Sequence, residues 1–173
     1  MRVKERSPGT GLGRGVRLRP TAEGDLDFVL REEGDEENRP FIGHWARGRH
    51  LEALADDDVE HSIAEDRDGA PVGYATLTGV GDPGRILCFK RLMVSEKGRG
   101  YGRAVLRLVK ERAFGELGAH RLWLDVKEGN ARARGLYGSE GFVQEGVLRD
   151  SFWTGEVHET LVVMSILESE YRA

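Results

Sequence analysis

The sequence predicts an α+β protein: a mixed, mostly antiparallel central sheet with flanking helices. Three observations carry this. Short stretches rich in Val, Ile, Leu and aromatics recur between turns such as Asp68-Gly69-Ala70-Pro71 and Asp82-Pro83-Gly84. A smaller number of segments space their apolar residues at helical intervals instead. One strand–helix–strand crossover appears, in the second half, too little for a doubly wound parallel sheet.

In chain order, residues 16–20 alternate and end at a proline, so they predict a first short strand. Residues 25–33 carry Leu26, Val29 and Leu30 at helical spacing. A loop over 40–45 precedes a second short helix over 50–57. Strands follow over 60–65, 72–77 and 86–94. After a glycine-rich loop, Tyr101, Val105, Leu108 and Val109 form one apolar stripe of a strong helix that Gly118 stops. Residues 122–126 are a strand, and 130–140 a short helix capped by Asn130 and ended by Gly141. Residues 142–152 and 157–167 close the chain as a hairpin around Thr154-Gly155. The order is β-α-α-β-β-β-α-β-α-β-β.

The chain has 173 residues, 39% of them hydrophobic, which supports one domain with a proper core. Its net charge of −4 argues against a nucleic-acid partner. A lone cysteine, Cys88, excludes an internal disulfide; it reads as a small core residue in a strand. Residues 1–14 are basic and Gly-rich with no apolar run behind them, so they predict a flexible leader rather than a secretory signal, with residues 15–173 as the domain. The apolar run 161–164 is too short to span a bilayer. A cytoplasmic protein without membrane or metal is expected.

The most informative segment is Leu92-Met93-Val94-Ser95-Glu96-Lys97-Gly98-Arg99-Gly100-Tyr101-Gly102-Arg103. A strand ends, a loop turns on glycines, and a helix begins. Gly98, Gly100 and Gly102 leave main-chain N–H groups uncovered at a helix N-terminus, where the macrodipole favours an anion. Lys97, Arg99 and Arg103 add positive charge, which suits a pyrophosphate. A tight turn with solvated cations is the plain alternative. The kinase-type P-loop string is absent. A dinucleotide-binding loop is the rival, since Asp125 lies 23 residues after Gly102 where a ribose-binding acid can sit. That motif needs a glycine at Arg103, however, and a second crossover that the chain lacks.

The second segment runs from Asn130 to Phe142. Asn130 and Tyr137 are two helical turns apart and share a face. Taken singly, Asn130 reads as an N-cap and Tyr137 as a core residue with a wet hydroxyl. Gly135 and Gly138 sit mid-helix, each costing about 1 kcal/mol against alanine; close passage of a ligand arm is one explanation.

Together the two segments resemble the GNAT superfamily of N-acetyltransferases. Lys97-Gly98-Arg99-Gly100-Tyr101-Gly102 is similar to the family's Arg/Gln-x-x-Gly-x-Gly/Ala motif. Asn130, Ala133 and Tyr137, followed by Gly141-Phe142, match its Asn-x-x-Ala-x-x-x-Tyr motif. The order of elements agrees over residues 15–170, and the tail resembles the branch with ribosomal-protein and small-amine acetyltransferases. Departures are Lys97 at the loop entrance, a short loop, and a strand 86–94 without the carboxylate often used there as a base.

The resemblance implies a GNAT-like fold and direct attack of a primary amine, from a small molecule or a protein N-terminus, on acetyl-CoA. Leu92, Met93 and Val94 would offer main-chain groups to the pantetheine arm. Lys97, Gly98, Arg99, Gly100, Tyr101, Gly102 and Arg103 would hold the pyrophosphate. Asn130 and Ala133 would complete the cofactor site, and Tyr137 would protonate the departing thiolate. The proton acceptor stays open among Glu65, Asp125, His61, His158 and water. The acidic run Asp56-Asp57-Asp58, with Glu52 and Glu60, reads as a solvated helix end or as an attractor of a cationic amine. A domain that binds acetyl-CoA without turnover is the alternative function. A homodimer through the closing hairpin is a further expectation.

Overall fold

The computed structural model describes residues 15–172; the 1–14 leader expectation lies outside them. The strands are β1 (Arg17–Pro20), β2 (Val59–Glu65), β3 (Pro71–Thr78), β4 (Ile86–Val94), β5 (Arg121–Lys127), β6 (Val143–Trp153) and β7 (His158–Leu167). The helices are α1 (Leu26–Gly34), α2 (Arg47–Ala55), α3 (Tyr101–Lys110), α4 (Ala131–Ser139) and a short α5 (Glu168–Tyr171). The seven strands form one sheet in the order β1-β2-β3-β4-β5-β7-β6. Every pair is antiparallel except β4 with β5, the pair joined by the α3 crossover.

Helices cover both faces. Leu87 and Phe89 of β4, and Leu122, Leu124 and Val126 of β5, pack with Val105, Leu108 and Val109 of α3 and Tyr137 of α4. Ile63, Tyr74 and Met93 pack on the other face with Leu26, Phe28 and Val29 of α1. α3 runs on into a π-helical turn (Glu111–Glu116) and ends at Gly118, whose φ of 64° is the left-handed region glycine favours. Gly141, at φ 95°, ends α4 in the same way.

Two irregularities of β4 shape the centre of the molecule. Its parallel pairing with β5 covers Ile86–Cys88 against Arg121–Trp123 and then stops. Directly afterwards the register with β3 shifts: Thr76 faces Arg91 and Leu77 faces Phe89, so Lys90 is an extra residue. Such a bulge bends its strand and strengthens the twist. Phe89 and Leu92 consequently point to the α3 side, and Arg91 and Met93 to the α1 side. Beyond Cys88 the two central strands diverge and leave a fork.

Candidate active site

The fork sets the site. Residues 89–94 of β4 pair with β3 along one edge and have no strand along the other. Their free main-chain groups, which include those of Leu92, Met93 and Val94, can accept an extended amide-bearing arm much as they would accept a strand.

At the open end of the fork lies the glycine loop. Gly98 and Gly100 have φ of 78° and 81°, so both use the conformation that only glycine adopts freely. Gly102 differs: it has no positive φ and lies inside α3, where a Cβ would meet Leu136 at an ordinary 3.5 Å. The sharp turn is made by two glycines, not three. No side chain caps α3, so the N–H groups of Tyr101, Gly102 and Arg103 face outward without a helical acceptor. The cations are arranged otherwise than the sequence suggests. Lys97 Nζ donates to Asn38 Oδ1 and to the Val94 carbonyl, the latter at 2.6 Å, Arg99 pairs with Glu96, and Arg103 pairs with Glu140. Burial lowers the Lys97 pKa, with weaker contributions from neighbouring charges. Each loop cation therefore already has a partner, whereas no side chain meets the main-chain N–H groups at the start of α3.

α4 borders the loop through Leu136, close to Gly102. Asn130 is its N-cap, with the side-chain oxygen accepting the Ala133 N–H at 3.1 Å, so these two residues are first of all each other's partners. Tyr137 is buried, its ring 5.8 Å from that of Phe142, and its hydroxyl has no hydrogen-bond partner among the described residues. A Cβ at Gly135 or Gly138 would meet nothing within 4 Å.

Asp125 stands in the fork itself, two residues past the last β4–β5 pair. Leu124 and Val126 point to the α3 side, so Asp125 points to the other. Its carboxylate makes no hydrogen bond or ion pair among the described residues. Burial first, and then the charge of Asp125, raise the pKa of Tyr137 and keep the phenol protonated. Burial likewise pushes the Cys88 thiol up to about 11, with Lys90 opposing and Asp125 adding; Cys88 is an inert core residue, as its sequence context suggests. A proton donor and a free carboxylate thus approach the same gap from opposite faces.

Two of the other proton-acceptor candidates are occupied. Glu65 is bound by Arg17 and Arg19 at the β1 edge, and His61 is buried beside His50. His158 packs obliquely on Trp153, ring centroids 4.6 Å apart, at the rim of a cleft beside the fork. The acidic run serves a turn: Asp56 accepts the Asp58 N–H, Asp58 accepts those of Gly79 and Gly81, and Glu60 pairs with Arg112. It stands at the closed end of the fork, where β2 meets Thr78, so it does not face the site.

On the Asp125 side, the segment between α1 and α2 bridges the two diverging strands. Lys127 of β5 donates to the Pro40 carbonyl at 2.7 Å, and Arg91 of β4 donates to that of Gly43. Beside it opens a cleft of about 330 Å³ lined by Phe41, Lys127, Asn130, Asp150, His158 and Glu159, among others. The Asp150 N–H donates to Thr160 Oγ1 at 3.3 Å, its carboxylate has no partner among the described residues, and its φ of 50° is unusual for a non-glycine residue. The Arg91 ties were not visible in the sequence, because their partners lie 48 and 58 residues away.

The profile of the Acetyltransferase (GNAT) family matches residues 28–142. The chain belongs to the GNAT family. It is a transferase whose acetyl donor is acetyl-CoA. It is 26% identical over 165 residues to spermidine N(1)-acetyltransferase of Vibrio cholerae, covering 89% of this chain and 94% of that protein. It is also 26% identical over 139 residues to a putative [ribosomal protein bS18]-alanine N-acetyltransferase of Bacillus subtilis, covering 80% and 87%. The fold superposes on the V. cholerae spermidine N-acetyltransferase in complex with CoA and spermine with a TM-score of 0.82 at 23% identity, covering 92% and 99%. No helix among the described residues is long and apolar enough to cross a membrane.

Proposed function

We propose that this GNAT protein acetylates a primary alkyl amine, with a polyamine as the acceptor class. The observation that carries the reading is the fork with Tyr137 on one face and an unpartnered Asp125 on the other. Leu92, Met93 and Val94 would hold the pantetheine arm of acetyl-CoA, and the N–H groups around Gly98, Gly100 and Tyr101 its pyrophosphate. Lys97, Arg99, Gly102, Arg103, Asn130 and Ala133 would border it. An alkyl amine of pKa near 10 must lose a proton before it attacks. Asp125 takes that proton, directly or through a water. The new C–N bond forms as the C–S bond breaks, and Tyr137 protonates the thiolate, whose conjugate thiol has a pKa of about 8.5; the second proton, shed by the acetylated nitrogen, returns to the phenolate through solvent.

The V. cholerae relative with spermidine in its name supports the polyamine class, as does the Asp150 carboxylate at the cleft beside the fork; Glu159 beside it is paired with Lys127 at 2.6 Å. A non-catalytic acetyl-CoA sensor would need neither Tyr137 nor Asp125. Residues 15–173 act as one unit in this reading, in the cytoplasm where the donor is found. A homodimer through β6 belongs to it as well. That edge strand exposes Val143, Val147, Leu148 and Trp153, and pairing would cover its open backbone; native mass measurement tests it.

The test has two steps. Acetyl-CoA at a hundred times its dissociation constant adds about 2.7 kcal/mol and raises the melting midpoint by roughly 2–5 °C. CoA release is then followed with spermidine, spermine and a peptide bearing an N-terminal alanine. Turnover with the polyamines is expected. Turnover with the peptide alone overturns the acceptor class, and none with any amine overturns the reaction.

A further inference from the structure

A second polar constellation lies behind the acceptor side of the fork, buried between α1, α2 and the sheet. Glu33 of α1 is fully buried. Its Oε1 accepts from the Tyr74 hydroxyl and from Arg91 Nη2, the latter at 2.7 Å. Its Oε2 accepts the Trp45 N–H at 3.0 Å. Arg91 Nε donates to the Tyr74 hydroxyl at 2.8 Å, and Nη2 also donates to the Gly43 carbonyl. Behind Glu33, His50 Nε2 approaches Oε1 obliquely at 3.2 Å. His50 Nδ1 lies 3.1 Å from His61 Nε2, and His61 Nδ1 lies 2.8 Å from Thr21 Oγ1. One assignment of protons satisfies this row: Thr21 donates to His61, His61 to His50, and His50 faces Glu33.

A core without these charges would be at least as stable, since a buried ion pair seldom outperforms apolar side chains of equal volume. What the charges add is direction. The backbone of the segment between α1 and α2 is gripped at two points two residues apart, Gly43 by its C=O and Trp45 by its N–H. The grips come from the two members of one ion pair. The Trp45 ring also lies against Arg91, its centroid 4.4 Å from the guanidinium carbon. Between the grips stands His44, its side chain largely exposed and its Nδ1 3.7 Å from Glu33 Oε2. Arg91 is on β4, on the face opposite α3 and one residue before Leu92.

We propose that the Glu33–Arg91 pair is a positioning device that fixes residues 43–45 over the acceptor side of the fork, and so governs acceptor recognition without touching the donor. The inference rests on the amine-acetylation reading, because it needs an acceptor that enters on the Asp125 side. Neither residue contacts the reacting atoms. They act through the backbone they hold and through His44, which is carried with it.

The experiment compares the wild type with Arg91→Lys and with the double variant Glu33→Gln/Arg91→Met. Lysine keeps the charge but cannot serve Tyr74, Glu33 and Gly43 together. The double variant removes both charges and is expected to melt within a few degrees of the wild type. Michaelis constants for spermidine and acetyl-CoA are measured for each protein, with amide exchange across residues 41–46. In both variants the spermidine KM is expected to rise about tenfold or more. The acetyl-CoA KM should stay within about twofold, and exchange at Trp45 should quicken. A spermidine KM at the wild-type value in either variant, or donor and acceptor KM rising in step, overturns the proposal. Failure of the wild type to acetylate any amine falls on the reaction instead, and unchanged exchange at Trp45 would then separately remove the grip.

Discussion

The two sides of the fork are held by different means. The side proposed to hold the donor is made of local backbone: Gly98 and Gly100 in left-handed conformation, an uncapped start to α3, and the bare edge of β4. The side proposed to receive the acceptor is made of distant side chains. Glu33, Tyr74 and Arg91 converge from α1, β3 and β4, with Lys127 holding Pro40 from β5. A main-chain site recognises what every CoA thioester shares and tolerates side-chain drift. A side-chain site can be retuned residue by residue, which suits the partner that varies.

The largest effects should come from the two groups that meet across the gap. Asp125→Asn is expected to lower kcat by about 10²-fold or more at neutral pH. The deficit should shrink towards pH 10, where the amine deprotonates unaided; a pH-independent deficit would remove Asp125 as the proton acceptor. Tyr137→Phe is expected to lower kcat by a similar factor of about 10² at every pH, with both KM values retained.

Next comes the donor loop. Gly100→Ala forces a Cβ into φ 81°, a strain of about 1–2 kcal/mol. The acetyl-CoA KM should rise roughly tenfold and the acceptor KM should not move, the mirror image of the Arg91 variants. Gly102→Ala, inside the helix with ordinary contacts, should be nearly silent.

A smaller effect should appear in stability against pH. Burial, with the charges of His50 and Arg91 adding to it, holds the His61 pKa down at about 4, from an ordinary 6.5. As pH falls through that window the unfolded chain takes up a proton that the native imidazole refuses, so stability declines from pH 6.5 towards 4. Burial opposes ionisation of Glu33, but the close approach of His50, the hydrogen bond from Tyr74 and the charge of Arg91 prevail and hold it at about 2. Its contribution is intact above 4.5 and declines as pH falls from there through 2. The melting temperature should therefore begin to fall below pH 6.5, and His61→Gln should flatten that first slope.

The smallest change expected is at Gly135, where a Cβ meets open space. Gly135→Ala should stabilise the protein by about 1 kcal/mol. If the cofactor arm passes close by, acetyl-CoA affinity will drop at the same time; unchanged affinity would leave Gly135 without a role in binding.

The donor half was legible in the sequence because its determinants are neighbours in the chain. Residues 86–94 and the caps at Asn130 and Gly141 fall where their patterns place them. α2 runs over Arg47–Ala55 rather than 50–57, because Asp56 turns back to accept its own neighbour's N–H at Asp58. α1 starts at Leu26, since Asp25 belongs to a preceding 3₁₀ turn and accepts the Ala22 N–H. The partners of the glycine-loop cations were not legible, because charge composition does not reveal that Asn38, Glu96 and Glu140 hold them. The acceptor half was illegible for a related reason. Glu33, His50 and Arg91 look like surface residues of an amphipathic protein, and only three-dimensional convergence buries them together.

The unzipped stretch of β4 has one more consequence. A sheet that stops pairing at its centre forgoes hydrogen bonds that a closed ladder between residues 89–94 and 124–127 would contribute, and the bulge at Lys90 keeps the strands from rejoining. If the donor binds as proposed, the protein without it is an incomplete sheet whose missing strand is a small molecule, and proteolytic resistance at the heart of the fold should rise when acetyl-CoA is added.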